Sequence, residues 1–336
     1  MKGIAEKKTI SCKFGKVEVP KTHVLCCTPL GFKMTPYWQD QCVYMGQQEV
    51  FEQGSKTLEK LTGHYVSAKQ IERMSHAYGQ LMEGKFAAVK ADLISREGCP
   101  TYGMMDGSMI FTREDDWKEM KLARIFAERS LLPENEHRNF IRESVYVAHL
   151  GGKNPFLDKV EKAIDNLDKM IWIADGARWI WNWLDDFYPH HHQVLDFYHA
   201  SEKLHDFARE AFTDQVERSK WVEHQVELLL DNAVEIVMVN IELVRCRGSA
   251  REKQAALLTY YENNRKRMQY KEYLQKGWLI GSGPMESAHR TVIQQRMKLS
   301  GQRWTIKGAQ QIVNLRVVEK SGNWNTVKNL ICNPIL

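Results

Sequence analysis

Apolar positions along the chain change period several times, and each change predicts a different element. Residues 4–24 alternate loosely, as a weak strand or extended arm does, and Pro20, Pro29 and Pro36 punctuate the segment up to the first helical pattern. From about 37 to 91 the period is helical. Within that stretch Leu58 and Leu61 give one helix an apolar edge and Gly63 permits a turn. Ser67 and Gln70 then form an S-x-x-Q capping box that opens a second helix, burying Ile71, Met74 and Tyr78. The pair reads as a helix-turn-helix with Lys69, Gln70, Arg73 and His76 near its exposed side, although helix pairs with a glycine turn also occur without DNA. Period-two alternation predicts strands at 101–105, 109–112 and 117–126, with Asp106-Gly107 as the turn between the first two. After a polar stretch come a helix at 154–168, the apolar run MIWIA as a strand, a Trp-rich helix at 177–187 and a strand at 193–195. Residues 197–275 read helical almost throughout, and a glycine-rich turn after Gly277 runs into another helix.

A three-strand meander followed by helix, strand, helix and strand is the element order of a ribonuclease-H-like α/β core, a mixed sheet with helices on both faces. The expected organisation is an arm and helix-turn-helix-like DNA-binding region at 1–95, the first part of the catalytic domain at 96–200, an all-helical insertion at 201–276, and the rest of the catalytic domain with basic helices at 277–336.

Composition narrows this picture only a little. The chain of 336 residues can bury a full core, and no run of about eighteen apolar residues or charged-then-apolar leader stands out, so a cytoplasmic protein that does not span a membrane is expected. Seven cysteines without regular spacing, Cys26 and Cys27 adjacent, suit buried thiols better than a disulfide framework or a zinc knuckle. Charge changes more. From Arg245 onward there are 17 Lys and Arg against 5 Asp and Glu, a net +12, while the remainder carries −7. That asymmetry suits a polyanion partner for the last third, though a solvated basic face has the same composition.

Asp106, Asp175 and Glu286 are the candidate catalytic and metal-binding residues. Carboxylates gathered at strand ends repel one another unless a cation sits among them, and Mg²⁺ or Mn²⁺ takes one or two carboxylates together with water and phosphate oxygens. Two such ions about 4 Å apart serve in-line displacement at phosphorus. Each residue has a plainer reading as well: a turn for Asp106, a helix cap for Asp175, a dipole-matched first-turn charge for Glu286. Asp196 and His199 are expected to share a hydrogen bond at a strand-to-helix junction, and His190, His191 and His192 to form an exposed loop. Around Glu286 crowd Arg265, Lys266, Arg267, His289, Arg290, Arg296, Lys298, Arg303, Trp304 and Lys307, which with Lys69 and Arg73 are the candidate DNA contacts.

The segments MMDGSMI, WKEMKLARIF, IADGARWIWNWL, VLDFYHASEKL and YLQKGWLIGSGPMESAHRTVIQQRMKLSGQRWT resemble insertion-sequence transposases of the ISKra type, bacterial relatives of Mutator-like DDE elements, over about 50–316. The resemblance implies that Asp106, Asp175 and Glu286 are the D, D and E, and that Asp196 to His199 is the superfamily's C/D-x-x-H motif, which helps arrange DNA near the active site. It also implies a ribonuclease-H-like core, Mg²⁺ dependence, terminal inverted-repeat and target DNA as substrates, a homo-oligomer that pairs two ends, and association with the nucleoid when bound. Relatives often begin with a longer cysteine-bearing region, so a shortened N-terminus with Cys12, Cys26 and Cys27 is expected. A structure-specific nuclease on the same core, or a catalytically inactive DNA-binding remnant of a transposase, are the alternative functions.

Overall fold

A computed structural model describes residues 6–12, 15–23, 29–85, 100–135, 138–165 and 167–332. The loosely alternating start forms a hairpin of β1 (Lys7–Cys12) and β2 (Gly15–Pro20). The adjacent Cys26 and Cys27 lie outside the described residues.

Three helices come next: α1 (Pro36–Gln48), α2 (Phe51–Thr62) and α3 (Ala68–Lys85). Gly63 closes α2 in the left-handed region at φ 72°, and Ser67 Oγ accepts from the Gln70 N–H at the start of α3. Ile71, Met74 and Tyr78 are buried as their spacing predicts, and the Tyr78 hydroxyl donates to Gln39 Oε1 in α1 at 2.6 Å.

The centre is a five-stranded mixed sheet in the order β7-β4-β3-β8-β9. It is built from β3 (Thr101–Thr112), β4 (Asp116–Ala127), β7 (Val145–Leu150), β8 (Met170–Ala174) and β9 (His192–Leu195), with a small hairpin of β5 (Leu131–Asn135) and β6 (Arg138–Ile141) between β4 and β7. β3 pairs antiparallel with β4 and parallel with β8; β8 pairs parallel with β9. Two sequence expectations are corrected here. Asp106-Gly107 makes no turn: it lies inside one unbroken strand, Asp106 opposite Leu122 and Gly107 opposite Lys121, so pairing along β4 overrides a local turn signal. The third strand of the meander is β7, in the stretch read as polar.

On the sheet sit α4 (Lys153–Ile164) and α5 (Arg178–Phe187), the latter placing Trp183 edge-on against Trp172 at 5.5 Å. Beyond β9 come α6 (Phe197–Ala211), α7 (Gln215–Leu230), α8 (Val234–Leu243), α9 (Ser249–Asn264) and α10 (Tyr270–Gln275), helical as their pattern predicts. The chain then returns through α11 (Gly283–Ala288), a π-helical stretch at His289–Gln294, the short α12 (Gln295–Met297), α13 (Ile306–Lys320) and α14 (Trp324–Cys332).

The N-terminal helices pack directly against the C-terminal ones. α13 packs on α3 so closely that a Cβ on Gly79 would lie 2.2 Å from the Gln311 carbonyl oxygen, and Asn314 Nδ2 donates to the Gly79 carbonyl at 3.0 Å. Two buried guanidinium groups complete the junction. Arg296 donates to the Gly46 carbonyl at 3.1 Å, and Arg316 donates to the Gln47 carbonyl at 2.7 Å and to those of Thr291 and Val292. Among the described residues no helix is long and apolar enough to cross a membrane.

Candidate active site

Strand register places the acidic residues. Met104 on β3 lies opposite Ile173 on β8, which lies opposite Val194 on β9. Side chains return to the same face every second residue. Continued two residues past the last paired position of β3 with β8, the same alternation turns Asp106, Asp175 and Asp196 toward one face at this end of the sheet. β8 ends at Ala174 and β9 at Leu195, so the second and third stand just past strand ends, while β3 continues beyond Asp106 to Thr112.

Each carboxylate keeps part of its capacity. Asp106 accepts the Gly107 N–H on Oδ1 at 2.6 Å, and its Oδ2 faces His289 Nε2 at 3.3 Å. Asp175 accepts the Ala177 N–H on Oδ1 at 3.0 Å, as the helix-cap reading predicts, and its main-chain carbonyl accepts from the Tyr260 hydroxyl at 2.7 Å. Glu286 is exposed, in the first turn of α11, on the wall of an open groove of about 610 Å³ that Asp106, His289 and Arg290 also line. Glu286 and Asp106 thus share one groove.

Asp196 is fully buried and caps α6 through the Tyr198 N–H at 2.8 Å. Its other oxygen accepts from His199 Nδ1 at 2.7 Å and from Ser282 Oγ, which ties the glycine-rich turn before α11 to the end of β9. Burial alone would raise this carboxyl, yet the hydrogen bonds from His199 and Ser282 together hold it below its ordinary value. The bond to Asp196 is also the largest reason the His199 imidazole is pushed up to about 9, against burial and helped by the charges of Asp196, Asp175 and Asp106. His199 therefore carries a positive charge at neutral pH, close to both candidate catalytic aspartates.

This pair has a pH signature. A folded-state value near 9 exceeds the unfolded 6.5, so the His199 contribution to stability is full below about pH 6.5 and is lost as pH rises through 9. NMR titration of the His199 ring should give a midpoint near 9, falling toward 6.5 in Asp196→Asn. An unchanged midpoint in that variant would assign the shift to another group.

The candidate DNA contacts divide into three sets. Arg290, Lys298, Arg303 and Lys307 are exposed, and Lys298 Nζ lies 3.1 Å from Ser108 Oγ, two residues along β3 from Asp106. Lys69 and Arg73 are exposed on α3, Lys69 paired with Glu72 at 2.8 Å; Arg265 and Lys266 are exposed beyond α9. The third set is turned inward. Arg296 is 1% exposed and stacks between Phe51 and Trp304, the Trp304 indole donates to the Met297 carbonyl at 3.0 Å, and Arg267 bridges to Asp185 at 3.0 Å over the Trp181 ring. Arg296 and Trp304 thus differ from the surface role read for them; they pack the junction with α1 and α2. His191 differs too, being buried and accepting from the Trp172 indole at 3.0 Å. Cys42 is buried as expected of a structural thiol, its acidity suppressed to about 12 by burial.

Sequence reasoning assigned no role to Ser282 and Tyr260, and counted His289 as a DNA contact although it turns inward to Asp106. The only signal for His289 was its spacing, three residues after Glu286 and so on one helical face with it. The carboxylate oxygens of Asp106, Asp175 and Glu286 are hard donors of the type Mg²⁺ or Mn²⁺ takes. As they stand, no three His, Cys, Asp or Glu among the described residues are grouped closely enough to hold one ion. No protein-family model matches this chain, and no curated protein matches it either.

Proposed function

We propose that this chain is a DDE transposase that hydrolyses a phosphodiester at the inverted-repeat end of its element and joins the freed 3′-hydroxyl to target DNA. The observation that carries this reading is Glu286 on the wall of the groove that Asp106 lines, with Asp175 two residues beyond the β8 position that pairs with Met104 of β3. Supporting it, the five-stranded mixed sheet in the order β7-β4-β3-β8-β9 is compatible with a ribonuclease-H-like core, in which the helices between Asp175 and Glu286 would be the insertion. Two Mg²⁺ or Mn²⁺ ions at Asp106, Asp175 and Glu286 would neutralise phosphate charge and activate the attacking oxygen. The chain supplies the rest. Arg290, Lys298, Arg303 and Lys307 hold backbone phosphates, and His199, fixed through Nδ1 by Asp196, keeps a positive charge beside the aspartates. A homo-oligomer follows from the need to hold two DNA ends.

One observation favours a second reading, a DNA-binding protein without catalysis: the three acidic residues do not form a closed metal-binding group by themselves. The test is incubation of the purified chain and Mg²⁺ with DNA carrying the repeats that flank its reading frame, together with a target plasmid. Cleaved ends joined to the plasmid are the expected products. Cleavage without joining would make the protein a nuclease, and a shifted but intact DNA would leave only the binding role.

A further inference from the structure

Glu286 depends on its surroundings for its place. Its helix α11 has six residues, too few to be stable alone, and its side chain makes no hydrogen bond or ion pair among the described residues. The carboxylate is therefore held by the turn before it, 279–284. That turn has two buried anchors.

The first anchor is Ser282. Its hydroxyl donates to Asp196 Oδ2, and its carbonyl accepts the Met285 N–H at 2.6 Å and the Glu286 N–H at 3.2 Å. Both side chains are buried, Ser282 at 8% exposed and Asp196 at 0%. One residue thus joins the end of β9 to the first turn of α11. Just upstream, the Ile280 carbonyl accepts the Phe197 N–H at 2.9 Å and the Leu279 N–H donates to the Tyr102 hydroxyl at 3.2 Å, so the turn enters along a fixed path.

The second anchor is Arg124 on β4, a buried guanidinium over the rings of Phe126 and Tyr146. Its Nε donates to Ser144 Oγ at 3.0 Å and its Nη1 to the Pro284 carbonyl at 2.6 Å, two residues before Glu286. A hydrogen bond from an ionised donor is strong and directional, so this carbonyl is tightly held. Arg124 stands opposite Met104 on β3, and Met104 is two residues from Asp106, so Arg124 rises from the face toward which Asp106 turns. In the sheet order β4 and β9 flank β3 and β8. The two anchors straddle the strand that carries Asp106 and the strand that leads to Asp175.

We infer that Ser282 and Arg124 are positioning residues that together set the Glu286 carboxylate beside Asp106 for cation binding. Ser282 acts through the Glu286 N–H and Arg124 through the Pro284 carbonyl. Placing Glu286 for a cation presupposes the metal-dependent action proposed above; the placement itself is measurable without metal or DNA.

The experiment has two readouts on Ser282→Ala, Ser282→Thr and Arg124→Met. The first is the Met285 methyl resonance in metal-free protein made with methyl-labelled methionine. Met285 is 1% exposed and adjoins Glu286, so its resonance reports where α11 sits, and Met170, at the opposite end of β8 from Asp175, is the reference. The second is Mn²⁺ affinity with end DNA bound, by electron paramagnetic resonance, in the wild-type and Glu286→Gln backgrounds. Ser282→Ala and Arg124→Met should each move the Met285 methyl and leave Met170 in place. Each should weaken Mn²⁺ binding about tenfold when Glu286 is present and by no more than about twofold when it is replaced; Ser282→Thr, which keeps the hydroxyl, should restore both readouts. Circular dichroism checks folding, and if Arg124→Met does not fold, the two Ser282 variants decide. An unmoved Met285 methyl, or an equal loss of Mn²⁺ affinity in both backgrounds, would overturn the inference. A wild type that binds no Mn²⁺ and cleaves no DNA would remove the transposase reading, while a displaced Met285 methyl would still uphold the two residues as the anchors of α11. Glu286-dependent Mn²⁺ binding indifferent to Ser282→Ala and Arg124→Met would do the reverse.

Discussion

Asp175→Asn and Asp106→Asn are each expected to lower Mg²⁺-dependent DNA cleavage by on the order of 10³-fold or more, with the fold intact. The asymmetry comes from what asparagine keeps. Its side-chain oxygen can still accept the Ala177 N–H at position 175 and the Gly107 N–H at position 106, so neither the helix start nor the strand loses its local partner. The removed quantity is the negative charge. Under the proposed mechanism, without it Asp106 and Asp175 would no longer hold a divalent cation, and a phosphodiester approaching them would meet no compensating positive charge at the reacting oxygens. Single-turnover cleavage assays, paired with thermal melts and DNA-binding isotherms, separate this outcome from misfolding. Binding should survive in both variants, because the exposed cations Arg290, Lys298, Arg303 and Lys307 are untouched. Cleavage within tenfold of wild type in either variant would remove that aspartate from the chemistry.

The second large effect lies away from the carboxylates. Arg316→Ala is expected to destabilise the fold by about 3–5 kcal/mol, a large share of a typical total of 5–15. Arg316 is 1% exposed, and its guanidinium donates to carbonyls on two separate elements: Gln47 at the end of α1, and Thr291 and Val292 in the π-helical stretch. A π-turn leaves carbonyls without the ordinary helical donor, and here the arginine fork supplies it. Alanine would leave these acceptors buried and unpaired beside a cavity. Lysine is no substitute, since one point charge cannot match a planar fork reaching both elements. Burial lowers the Arg316 pKa only to about 10, with the Glu319 charge opposing the shift, so the group remains charged at neutral pH. Because His289 opens the π-helical stretch and faces Asp106, the same variant should loosen the wall that carries Glu286. Urea unfolding gives the stability change, and hydrogen exchange over 283–297 should rise more than over β8. A loss under 1 kcal/mol would mean that water satisfies those carbonyls and that the arginine is no anchor.

These two residues show where sequence is informative and where it is not. Asp175 was legible because MIWIA is a short apolar run ended by Asp-Gly, and a buried parallel strand reads as a continuous run. The helices after Phe197 were legible for the opposite reason, sustained helical spacing over many turns. Asp106 was found with its local structure misread: Asp-Gly is a strong turn signal, and only the partner strand, remote in sequence, decides that the chain runs straight through it. β7 was missed because almost every residue in it is buried, which erases the alternation that marks a half-exposed strand.

Charge was the least reliable guide. The positive excess after Arg245 was counted as surface, yet Arg296 and Arg316 spend theirs inside the molecule, bonded to main-chain carbonyls of the first helix. For Arg316 a signal existed, since VNLRVV sets the arginine amid apolar residues in a helix buried on most sides. Arg296 offered none. Charge counts cannot distinguish a guanidinium that meets phosphate from one that caps a carbonyl; the distinction lies in which helix packs over it.

The convergence of Asp106, Asp175 and Glu286 on shared cations is tested most directly by titrating Mn²⁺ into the protein bound to uncleaved end DNA, followed by electron paramagnetic resonance. The expected result is saturable Mn²⁺ binding that weakens about tenfold or more in each of Asp106→Asn, Asp175→Asn and Glu286→Gln. Binding that persists unchanged when Glu286 is neutralised, while the aspartate variants lose it, would separate the third carboxylate from the other two and contradict a three-carboxylate site.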